Sequence, residues 1–68
     1  MDLEDFEELE DTIMEIVERV GVVKPSWVAK ELSVEENEVR EVLEALRHRG
    51  DLAKDWNGSS YHKRKSRS

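Results

Sequence analysis

The stretch Lys24–Arg49, KPSWVAKELSVEENEVREVLEALRHR, constrains the fold more than any other part of the chain. Pro25 lacks an N–H, and its fixed φ suits the first turn of a helix. From there Val28, Ala29 and Leu32 recur at helical spacing. Further on, Val39, Val42, Leu43 and Leu46 do the same, at steps of three, one and three. Only Ser33-Val34-Glu35 lies between the two sets. Two amphipathic helices joined by so short a turn must pack across each other through their apolar faces, with Val34 plugging the corner. The first runs to about Leu32, with Ser26 as an alternative cap that leaves its start open by a residue or two. The second runs from about Glu36 to Arg49 and ends at Gly50.

This is the pattern of a helix-turn-helix, and the remaining segments complete it. Leu3, Phe6, Leu9, Ile13, Ile16, Val17 and Val20 predict an amphipathic helix over 3–20, with Asp2 as N-cap and Gly21 at the C′ position. Val22-Val23-Lys24 is a short β-prone run. Leu52-Ala53-Lys54-Asp55-Trp56 places Leu52 and Trp56 on one side, with Lys54 sharing their parity. Asn57-Gly58 signals a type I′ hairpin turn, and Tyr61-His62-Lys63 is the return strand. A lone two-stranded hairpin is marginal, so Val22-Val23 is expected as a third strand. RKSRS holds no apolar residue, which predicts a disordered basic tail over 64–68. Trp27 is expected at the edge of the second helix as a half-buried packing residue. The fold class is therefore α+β, in the order α-β-α-α-β-β, with one domain over 1–63. A chain of 68 residues buries only about 60% of the surface its unfolded form exposes.

Charge is unevenly spread. Charged residues make up 41% of the chain, and the net charge is -6. Residues 1–44 carry 15 acids and 4 bases, whereas residues 45–68 carry 2 acids and 7 bases. Nine acids precede the first base, Arg19. One end of the molecule should repel polyanions and the other attract them.

Catalytic chemistry finds little support. There is no cysteine, which removes disulfides and thiolate metal sites. The two histidines, His48 and His62, lack metal-ligand spacing, and the three glycines form no phosphate loop. Ser59 and Ser60 lie near His62, but no buried acid is placed to orient it. The carboxylates are expected on exposed helix faces with nothing to shift their pKa. The chain is read as a non-enzyme without metal or cofactor. No run approaches a membrane span, and the acidic MDLEDFEELE is the reverse of a leader, so no membrane association is expected and a cytoplasmic location is.

The segment PSWVAKELSV, with Val39, Val42, Leu43, Leu46 and Gly50-Asp51-Leu52, resembles the winged-helix domains of bacterial and archaeal transcription regulators, over residues 10 to 63 approximately. The resemblance implies a three-helix helix-turn-helix core with a small antiparallel hairpin wing, and binding to double-stranded DNA. In such domains the third helix enters the major groove, and the wing meets the backbone or minor groove. The outward positions of that helix are Glu36, Asn37, Glu38, Arg40, Glu41 and Glu44. Asn37 would bond adenine and Arg40 guanine. Arg47, Arg49, Lys54, Asn57 at the wing tip, Lys63, Arg64 and Lys65 would face the phosphate backbone. The glutamates depart from the family pattern, since each is repelled by phosphate, and Glu35 stands where a Ser, Thr or Asp cap is usual. Glu36 and Glu44 flank Arg40 at i-4 and i+4 and can pair with it. An acidic surface is also a halophile's solubility adaptation, under which the glutamates say little against DNA. The alternative reading is a winged-helix interaction module whose acidic helices dock a basic partner. The ridge Leu3, Phe6 and Leu9 further suggests a homodimer through the first helix.

Overall fold

The computed structural model describes residues 3–56 and 59–64. Its elements are α1 (Leu3–Val20), β1 (Val22–Val23), α2 (Pro25–Leu32), α3 (Glu36–His48), β2 (Leu52–Lys54) and β3 (Tyr61–Lys63). Three helices and a three-stranded antiparallel sheet of order β1-β3-β2 make a small α+β unit. That layout is compatible with a winged-helix-like arrangement. Val22-Val23 does join the hairpin, with Val22 opposite His62 and Val23 opposite Tyr61.

The core is where the three helical stripes and the inner face of the sheet meet. Ile13 and Val17 come from α1, Val28 and Ala29 from α2, and Val39, Val42, Leu43 and Leu46 from α3; Val23, Leu52 and Tyr61 close it from the sheet. Phe6, Leu9, Ile16, Leu32 and Val34 are half-buried and pack around it. Phe6 and Leu9 are therefore not a free ridge, which removes part of the ground for a dimer through α1. Val20 is half exposed because the chain leaves the helix directly after it. Asp2, the expected cap, lies outside the described residues.

The joints follow backbone chemistry. Gly21 ends α1 at φ 97°, a conformation that favours glycine. Ser33 ends α2 in the left-handed region at φ 57°, and the Val34 N–H donates to the Ala29 carbonyl at 3.0 Å. A non-glycine residue there costs about 1 kcal/mol, offset by seating Val34 against the core. Helix α2 starts at Pro25, with Lys24 in the capping position, so Ser26 is not the cap. Glu35 occupies the corresponding place before α3 without a side-chain cap bond.

In the hairpin Leu52 faces Lys63, Ala53 faces His62 and Lys54 faces Tyr61. The Asp55 N–H donates to the Ser60 carbonyl at 2.9 Å, and the Arg64 N–H to the Asp51 carbonyl at 3.1 Å, so main-chain bonding runs one step past each end of the ladder. This register is the one a two-residue turn at 57 and 58 demands; Asn57 and Gly58 themselves lie outside the described residues. Pairing puts Leu52, Lys54, Tyr61, Lys63 and Val23 on the inner face, and Ala53, His62 and Val22 on the outer. Trp56 departs from expectation. It stands past the last ladder pair, 98% exposed, rather than beside Leu52.

Candidate nucleic-acid interface

With Val39, Val42, Leu43 and Leu46 turned to the core, α3 offers three other surfaces. Its crest carries Asn37, Glu41 and His48, all exposed. One flank, facing the hairpin, carries Glu36, Arg40, Glu44 and Arg47 at steps of four and three. The other flank carries Glu38, about 200° around the helix from both Glu36 and Arg40.

The hairpin flank is an electrostatic network. Arg40 Nη2 pairs with Glu36 at 2.8 Å, the i,i+4 contact expected, with Glu36 chosen over Glu44. Glu44 is instead taken up by the sheet. Its Oε1 accepts from Arg47 Nε and Nη2 at 3.2 and 3.0 Å. Its Oε2 accepts from the Tyr61 hydroxyl and lies 3.5 Å from Lys54 Nζ. The Lys54 ammonium in turn sits 5.5 Å from the centre of the Tyr61 ring. The Tyr61 bond above all, and then the Arg47 bond, hold the Glu44 carboxyl down at about 2. Burial foremost, and then the bonded carboxylate, push the Tyr61 phenol up to about 12. The hydrogen bond to Glu44 likewise raises the Arg47 guanidinium. Two expectations are corrected here. Glu44 is not an outward residue of α3, and not every carboxylate is left without a perturbing neighbour. The reason is that Tyr61 lies on the inner face of β3, 17 residues away in sequence, where helical periodicity gives no sign of it.

Beside this network a cleft of about 350 Å³ opens between the start of α2, α3 and the hairpin. Lys24, Arg40 and Lys54 line it together with Ser26, Ser59 and the single carboxylate Glu36, which is already paired to Arg40. The sheet register brings these cations together. Val23, Tyr61 and Lys54 lie in one row across the three strands, so Lys24, the next residue after Val23, emerges at the Lys54 end.

The candidate DNA-binding residues separate accordingly. Arg40 and Lys54 share the cleft, and Arg47 adjoins it through Glu44. Asn37 stands on the crest. Arg49 turns away to Glu10 of α1 at 3.2 Å and to Asp51 at 3.5 Å. Lys63 reaches Glu18 of α1 at 3.0 Å. Arg64 is exposed, while Asn57 and Lys65 lie outside the described residues. Sequence reasoning missed Lys24, Ser26 and Ser59, and it did not place His48 on the crest. His48 follows from helical arithmetic alone, eleven residues after Asn37. The other three needed the register.

On the outer face of the hairpin His62 Nδ1 lies 2.8 Å from Asp55 Oδ1. An acid thus does sit against His62, because Asp55 is two residues along the same face from Ala53, its cross-strand partner. Both side chains are partly exposed, so this is not a buried orienting acid. Among the described residues no cluster of three or more His, Cys, Asp or Glu side chains is placed to hold a metal ion, and no helix is long and apolar enough to cross a membrane. Comparison with protein-family models, with curated proteins and with solved structures gave no match.

Proposed function

We propose that the chain is a winged-helix DNA-binding protein, acting as a transcription regulator, with α3 in the major groove. The observation that carries this reading is the convergence of Lys24, Arg40 and Lys54 on one cleft between α2, α3 and the hairpin. Lys24 and Lys54 contact phosphates, and Ser26 and Ser59 supply hydroxyl donors beside them. Asn37 and Arg40 reach base edges. Arg40 leaves Glu36 at small cost, since an exposed i,i+4 pair is worth about 0.3–0.5 kcal/mol. Asn57 and Lys65, outside the described residues, add backbone contacts.

The disposition of the glutamates supports the same face. Glu44 is bonded to Tyr61 and Arg47, Glu36 is paired with Arg40, and Glu38 lies on the far flank. Of the acids within α3, Glu41 alone is left on the crest without an ion pair among the described residues. Titration of the labelled chain with a DNA duplex at two salt concentrations tests the proposal. The expected result is amide shifts at Lys24, Asn37, Arg40 and Lys54, with affinity falling as salt rises. Lys24→Ala and Lys54→Ala should each lower the salt slope by about 1. Shifts confined to residues from Lys63 onward, or none at low salt, would overturn it.

A further inference from the structure

A second concavity, of about 440 Å³, opens on the other side of α3. Leu9 and Thr12 of α1 form one wall, and Leu32 and Val34 of the α2–α3 corner form the other. Leu9, Leu32 and Val34 are each half-buried and continuous with the core, so the floor is apolar and anchored. Asp5, Glu8 and Glu38 form the rim. None of these three carboxylates has an ion pair among the described residues, whereas Glu10, Glu18, Glu36 and Glu44 all do. The groove shares no lining residue with the cationic cleft.

We propose that this groove docks a basic amphipathic helix of another protein. Its apolar side chains sit on Leu9, Leu32 and Val34, and its Lys or Arg side chains pair with Asp5, Glu8 and Glu38. The wall from Asp5 to Thr12 is about 10 Å long at the helical rise, room for anchors at i, i+4 and i+7. The apolar floor rewards burial, and the unpaired rim selects positive charge. Other occupants fit less well. A second copy meeting this face symmetrically would set Asp5, Glu8 and Glu38 against themselves. The chain's own residues 64–68 are basic but bring no apolar side chain to the floor. DNA is repelled by the rim. The proposal stands independently of the DNA-binding reading, because the two surfaces lie on opposite flanks of α3.

The probe is a synthetic helical peptide of Leu and Lys with leucines at i, i+4 and i+7, titrated into the full labelled chain. Two controls keep its length: one replaces Leu by Ser, the other Lys by Glu. Amide shifts should appear at Leu9, Thr12, Leu32 and Val34, and both controls should bind at least about tenfold more weakly. The double variant Glu8→Lys/Glu38→Lys, which alters only the rim, should also weaken the peptide about tenfold while leaving duplex binding intact. Equal binding by the Ser control would reduce the effect to charge alone and overturn the proposal. So would shifts centred on the crest or the sheet, or shifts at the groove on concentrating the protein without peptide, which would assign the face to a second copy.

Discussion

The two flanks of α3 begin from the same kind of residue and end in opposite states. On the hairpin side Glu36 and Glu44 are paired with Arg40, Arg47, Lys54 and Tyr61, beside a cleft lined by Lys24, Arg40 and Lys54. On the α1 side Glu38 joins Asp5 and Glu8 around an apolar floor with no cation among the described residues to meet them. A count of glutamates on α3 predicts a helix hostile to polyanions all round. Among the described residues the structure leaves two of the four α3 glutamates without an ion pair, Glu41 on the crest and Glu38 on the α1 flank, because Arg40, Arg47 and the sheet supply partners on the hairpin side while α1 brings more acids to the other.

The bluntest way to break this contrast is to remove what both flanks stand on. Leu43 is fully buried, and Leu43→Ala should cost about 3 kcal/mol in urea denaturation, enough to abolish both surfaces in a chain of this size. Near-native stability would mean that the flanks do not depend on a common core. Removing one flank's centre should cost less. Glu44→Ala leaves the buried Tyr61 hydroxyl without its acceptor and releases Arg47 and Lys54, so we expect about 2 kcal/mol. Glu38→Ala should stay within about 0.5 kcal/mol. Equal costs for the two variants would erase the distinction.

The pH dependence sharpens it. The Glu44 carboxyl is lowered in the folded state, so its contribution is present above the ordinary value near 4.5 and fades as pH falls toward 2. Its size is about 1 kcal/mol, because the side chain keeps a third of its surface in water. Glu44→Gln should flatten stability between those limits. Tyr61 provides the complementary reading at high pH. It is the chain's single tyrosine, so absorbance at about 295 nm follows it alone. Its raised pKa stabilises the fold fully below about 10, and that contribution is lost as pH rises through about 12. Glu44→Gln should bring the midpoint down, and an unchanged midpoint would place the whole effect in burial. The smallest expected effect concerns the crest. Glu41→Lys should leave stability unchanged and tighten duplex binding about threefold at low salt. Glu38→Lys, on the α1 flank, should change duplex binding hardly at all; parity between the two would contradict the proposed orientation of α3.

What the sequence determined by itself was everything set by local periodicity and backbone chemistry. The apolar steps of three and four placed α1 at its observed bounds and marked Val28, Val39, Val42, Leu43 and Leu46 as core. Glycine and proline punctuated the helices, and the Asn-Gly pair implied the hairpin register that is found. Such signals are legible because each depends on residues within a turn or two of one another. The candidate site is different. Arg40 could be assigned to α3 from its spacing, but its neighbours Lys24 and Lys54 are brought to it only by the row Val23–Tyr61–Lys54 across three strands. Glu44 was an outward residue by helical arithmetic until Tyr61 claimed it, and the pairing of Arg49 with Glu10 and of Lys63 with Glu18 of α1 had no sign in the local sequence. These pairings join residues 17 to 45 positions apart. The identity of such partners depends on strand register and helix packing, so the cores of the elements were readable in the chain, while the charge state of each face was decided by how they came together.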